Sequence, residues 1–175
     1  FGKEKLDSIR QSRLRLSTQT QTDLSGDRGN AEMIRSGKVG QLRSIQCLEA
    51  HLLAYQLDRY PLFEHPTEFH GFFLRKGNTL KVYFSASDKP WPPKPAPAIP
   101  KIEADIQNGW KLFGHLHNHY NSEEEDYVGV LAPSLADAQY YKALRDRFGL
   151  EKAFITNLFN SVEIDSSEFD LFHSH

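Results

Sequence analysis

A mixed α/β fold, a curved sheet with helices packed against it, is what this 175-residue chain predicts from three features. One stretch carries apolar residues at helical spacing. Two aromatic or alternating segments flank a Gly-Asn turn. A further apolar run leads into a second helical stretch and then into two short strand-like segments.

The elements follow in order. Residues 1–40 are polar, rich in Ser, Thr, Gln, Arg and Gly, and read as an extended, partly disordered arm with a short helix near Lys5–Leu16. From Gln41 to Arg59, the residues Leu42, Ile45, Leu48, Leu52, Leu53 and Leu57 recur on one helical face, and Pro61 stands just beyond as a stop. Phe69–Arg75 is aromatic and Leu80–Ser85 alternates, so Gly77-Asn78 between them predicts a hairpin. Six prolines, at 90, 92, 93, 95, 97 and 100, make Asp88–Pro100 a stiff extended loop, either a surface spacer or a wall beside a groove. Ile102–Gln107 suits a short helix ending at Asn108-Gly109, and Trp110–Leu116 a buried strand. Ser134–Phe148 has helical spacing with Gly149 as its stop. Ala153–Leu158 and Ser161–Ile164 read as final strands. The expected organisation is an arm over 1–40, a folded domain over 41–165 and a frayed polar tail over 166–175.

Composition narrows the function. A net charge of −2 and a pI near 6.5 leave no basic footprint for nucleic acid. No apolar run approaches the roughly 20 residues that span a bilayer. A single cysteine, Cys47, excludes an internal disulfide framework and a Cys-rich zinc module, and fits a reducing compartment such as the cytoplasm. The chain begins at Phe1, so any leader or partner domain upstream would be invisible here. Oligomeric state is not legible.

The chemistry concentrates in Gly114-His115-Leu116-His117-Asn118-His119 and in Pro133-Ser134-Leu135-Ala136-Asp137. Alternate residues of an extended segment share a face, so two of these imidazoles can grip one cation. A carboxylate from the next element completes a tripod. Three protein ligands with one position left for water is the arrangement of a catalytic zinc. Ser134 and Asp137 also read simply as a helix start, with Ser as N-cap and an acid in the first turn. Water activated by a metal needs a proton acceptor. Glu68, ahead of the aromatic strand in Pro66-Thr67-Glu68-Phe69-His70-Gly71-Phe72-Phe73-Leu74, is the best candidate, against the plainer reading of an exposed strand edge. Gly71 allows another chain segment to approach closely. His115 either packs or lines the site, His70 is given no role, and His173-Ser174-His175 reads as a floppy end. The acidic run Ser122–Asp126 is a solvated surface, or a bias toward basic substrates.

Taken together, these segments resemble the JAMM metalloproteases, also called MPN or JAB domains, whose pattern is a Glu before a glycine-containing strand, then His-x-His, then Ser-x-x-Asp. Gly114 sets the register and favours His117 and His119 over His115 and His117. The resemblance spans roughly residues 41 to 165 and implies the family's layered α/β fold, similar to that of cytidine deaminases. It implies that His117, His119 and Asp137 bind Zn2+ with water in the fourth position. Glu68 would act as general acid and base, and Ser134 would hydrogen-bond the water or the oxyanion. The implied reaction is hydrolysis of an amide in a protein or peptide, often an isopeptide bond to a ubiquitin-like modifier. Two departures bear on the groove: Tyr120 stands where many members carry proline, and the loop to Ser134 is long and acidic. Barrel-type amidohydrolases also begin with His-x-His, but only 56 residues follow His119, too few for such a barrel of about 250. An inactive JAMM-like scaffold is the non-enzymatic alternative.

Overall fold

Helix α1 (Ser25–Arg35) is the first element of the computed structural model, which describes residues 25–60, 67–89, 92–119 and 131–175. Strand β1 (Gln41–Ser44), helix α2 (Cys47–Arg59), the hairpin β2 (Phe69–Lys76) and β3 (Thr79–Ala86), helix α3 (Ala98–Gln107) and strand β4 (Lys111–Asn118) follow. Helix α4 (Leu135–Phe148), strands β5 (Lys152–Thr156) and β6 (Asn160–Asp165) and a 3-10 turn over Ser166–Leu171 complete the chain. The helix expected near Lys5–Leu16, Pro61, Tyr120 and the acidic run Ser122–Asp126 lie outside the described residues. Among the described residues, no helix is long and apolar enough to cross a membrane.

The strands form one six-stranded sheet in the order β1-β6-β5-β4-β2-β3. Every pairing is antiparallel except β4 with β5, which α4 joins as a crossover. The α/β class is therefore as expected: a mixed sheet flanked by helices. One face carries α1, α3, α4 and the 3-10 turn over a core that includes Ile34, Phe72, Ile102, Tyr141, Ile155, Ile164 and Phe169. The other carries α2, whose Leu52 and Leu53 pack on Phe69, Phe73 and Leu116. Gly71 serves that contact, because a Cβ there would come within 3.2 Å of Leu52.

A one-residue slip in β4 sets up everything that follows. Phe73 pairs with Gly114 but Leu74 with Leu112, leaving Phe113 over as a bulge. Leu112 consequently belongs to the α4 side and Leu116 to the α2 side, although an unbroken strand would put both on one face. The slip turns His115 and His117 toward α4.

The structure corrects four expectations. The polar arm does not reach residue 40: α1 is a helix despite Gly26 and Gly29, held by tertiary contacts that outweigh weak propensity. Its Asn30 is fully buried, donates to Pro133 O and His173 O, and accepts from His173 N–H. Gly29 makes this approach possible, since a Cβ there would lie 2.8 Å from the His173 ring. The tail over 166–175 is likewise ordered, because Phe169 and Phe172 enter the core between polar neighbours. The span Gln41–Arg59 is not one helix. Its first residues pair with β6, and α2 starts only after Gln46, whose N–H donates to Glu49 Oε1 at 2.8 Å. Finally, α3 begins inside the proline run: Pro100 sits in the first turn, where its missing N–H would have no helical acceptor.

Because Phe169 is fully buried, Phe169→Ala is expected to destabilise the fold by about 3–5 kcal/mol in urea unfolding. A frayed tail would tolerate the change without loss.

Candidate metal centre

β4 ends in His117 and Asn118, and His119 follows, its N–H still bonded to Thr156 O of β5 at 2.8 Å. α4 starts beside that end, as helices do in a parallel β-α-β unit, where the carboxyl ends of strands form the site-bearing rim. Its first turn is built as the sequence suggests. Ser134 is the N-cap, its Oγ accepting from Asp137 N–H at 3.1 Å, while Asp137 Oδ2 accepts from Ser134 N–H at 3.1 Å. The capping role and the metal-ligand role are not exclusive. The same Oδ2 faces His117 Nε2 at 3.3 Å and His119 Nε2 at 3.4 Å, and the two Nε2 atoms lie 2.9 Å apart.

These separations decide what the cluster can hold. A tetrahedral ion with bonds of about 2.0 Å spaces its ligands about 3.3 Å apart. The three donor atoms already stand at 2.9, 3.3 and 3.4 Å from one another, so an ion needs little rearrangement to enter. The group His117, His119 and Asp137 could therefore hold a metal ion. A two-imidazole, one-carboxylate set suits zinc among other divalent ions.

Electrostatics favour the ligating forms. Burial pushes His117 down to about 4, so its imidazole is neutral at pH 7. Burial alone would raise Asp137, but His117 and the hydrogen bonds from both imidazoles, with the Lys94 charge, hold it well below the usual carboxylate range. His117 Nδ1 lies 3.3 Å from the Tyr141 hydroxyl. With an ion bound at Nε2, an Nδ1–H donated to that oxygen would fix the ligating tautomer.

Glu68 is placed by its neighbours. Asn118 accepts from Phe69 N–H at 2.8 Å and donates to Thr67 O at 2.9 Å, gripping the backbone on both sides of Glu68. Gln56 of α2 adds a bond to Thr67 Oγ1 at 2.7 Å. Burial lifts the Glu68 carboxyl to about 7; the His119 charge opposes the rise, the Asp137 charge adds to it and Lys94 opposes it. Glu68 is half-buried, and the pairing of His70 with His117 sets it across from the end of β4 that carries His119.

All five candidate residues, Glu68, His117, His119, Ser134 and Asp137, thus gather at one end of the sheet. Sequence reasoning missed Asn118, Tyr141 and Gln56, which act through backbone and ring orientation and carry no motif. It also missed Lys94, whose Nζ donates to Asp137 Oδ1 at 2.6 Å, bringing the proline-rich segment against the cluster at that residue. His115 is packed: it is fully buried, its Nε2 lies 2.9 Å from His70 Nδ1, and burial holds both rings well below the usual imidazole range. His173 is tied to Asn30 and is no floppy end.

Glu68 also yields a signed prediction for the chelator-treated protein. With the folded value at about 7 and the ordinary value at 4.5, the folded state holds the extra proton between those limits. Stability contributed by the protonated form is full below pH 4.5 and lost as pH rises through 7. Glu68→Gln, which cannot ionise, should match wild type near pH 4 and exceed it by on the order of 3 kcal/mol at pH 8 in denaturant titrations. Comparison of the chain with models of known protein families, with curated proteins and with solved structures gave no match.

Proposed function

We propose that this chain is a zinc-dependent metallopeptidase of the JAMM type, with that family's layering, hydrolysing an amide or isopeptide bond. The observation that carries the reading is the tripod of His117, His119 and Asp137, with donor separations close to tetrahedral edges and with Glu68 alongside. Zinc held there would supply Lewis acidity, polarising a carbonyl and making water acidic enough to attack near neutral pH.

The remaining work falls to side chains. Glu68, lifted to about 7, is poised both to take the proton of the attacking water and to return it to the leaving nitrogen. Ser134 Oγ accepts from Asp137 N–H, which leaves its own proton free to donate to the oxyanion. Tyr141 and Asn118 hold the ligand ring and the Glu68 backbone in register. The substrate is a protein or peptide, and an isopeptide bond to a ubiquitin-like tail is the form the resemblance favours.

A metal-free scaffold is the competing reading, favoured by the Lys94 ammonium that already partners Asp137. Metal analysis of the purified chain separates them: about one zinc per chain supports the peptidase, and none supports the scaffold. Asp137→Ala should lose the metal, because two neutral imidazoles hold a dication weakly; full zinc occupancy in that variant would show the ligands to be misassigned. Glu68→Gln should keep zinc while hydrolysis of peptide and ubiquitin-like isopeptide substrates falls by about 100-fold or more. Near-normal turnover would remove Glu68 from its role.

A further inference from the structure

Asp137 has two carboxylate oxygens, and they serve different partners. Oδ2 takes the Ser134 N–H at 3.1 Å and faces the two Nε2 atoms at 3.3 and 3.4 Å. Oδ1 takes Lys94 Nζ at 2.6 Å, in an ion pair whose carboxylate is buried. The ammonium also lies 5.2 Å from the centre of the Tyr140 ring, a cation–π distance. Its backbone has little freedom, because Pro92 and Pro93 precede it and the buried Pro95 and then Pro97 follow. The proline run therefore works as a rigid arm that delivers one positive charge to one oxygen.

We propose that Lys94 is a positioning residue for Asp137: by occupying Oδ1 it makes the carboxylate present a single oxygen, Oδ2, to a cation shared with His117 and His119. This rests on the metal-site reading above. A carboxylate free to turn can offer both oxygens and add a ligand, filling the position that a three-ligand catalytic site keeps open. Hydrogen bonds to a ligating carboxylate commonly matter 10- to 100-fold in metal affinity. The ammonium also repels an incoming dication, so simple charge competition makes the opposite prediction.

The test is zinc affinity by chelator competition, together with the visible spectrum of the cobalt-loaded protein, for wild type, Lys94→Met and Lys94→Arg. Positioning predicts that the cobalt bands of Lys94→Met lose intensity as a second carboxylate oxygen enters, and that Lys94→Arg restores them. An unaltered cobalt spectrum in Lys94→Met, or one that Lys94→Arg fails to restore, overturns the proposal. Either result would leave the metal-site reading standing, provided wild type binds zinc. Wild type that binds no zinc removes both.

Discussion

A carboxylate withdrawn from water is tolerable only when its charge is compensated on every side. Asp137 meets that condition with one backbone N–H, one ammonium and two imidazoles, drawn from three parts of the chain. The N–H comes from the turn that starts α4, the ammonium from the proline arm before α3, and the imidazoles from the end of β4. This single group therefore ties the crossover helix, the arm and the central strand to one point. A cation entering there would replace contacts the protein already makes.

The surroundings keep that point rigid and dry. His70 stacks on His117 with ring centres 5.7 Å apart, and His115 lies in the same layer, so several imidazoles are packed where each can only be neutral. Among the described residues, His70 Nε2 and His115 Nδ1 have no hydrogen-bond partner, a cost accepted in a layer held by ring packing. Helix α1 reinforces the rim from outside: Asp27 accepts from Leu135 N–H at 2.8 Å and Asn30 holds Pro133 O, so the first turn of α4 is anchored on both sides of Ser134. A segment that reads as a polar arm thus braces the turn bearing Ser134 and Asp137.

Much of the fold was legible because local rules agree with the tertiary outcome. The Gly77-Asn78 hairpin, the Ser134 cap and the Gly149 stop, with φ of 72°, follow from turn and capping chemistry that needs no distant partner. Errors fell where distant partners decide. Gln41–Ser44 is a strand because β6 offers an edge, and Ser25–Arg35 is a helix because Asn30 finds Pro133 and His173 more than 100 residues away. Phe169 and Phe172 gave a faint signal, two aromatics three apart in a polar tail, and spacing that short suits a single 3-10 turn.

By itself the sequence determined the inventory of the site: the alternating imidazoles, the acid in a helix's first turn, and a glutamate ahead of an aromatic strand. Those are properties of residue type and short spacing. Only the tertiary structure decided which side of the sheet the imidazoles face, through the bulge at Phe113, and which cation partners the free oxygen of Asp137. A strand's facing inverts with one unpaired residue, and a lysine on a proline arm can reach many places, so neither outcome is written in the local pattern.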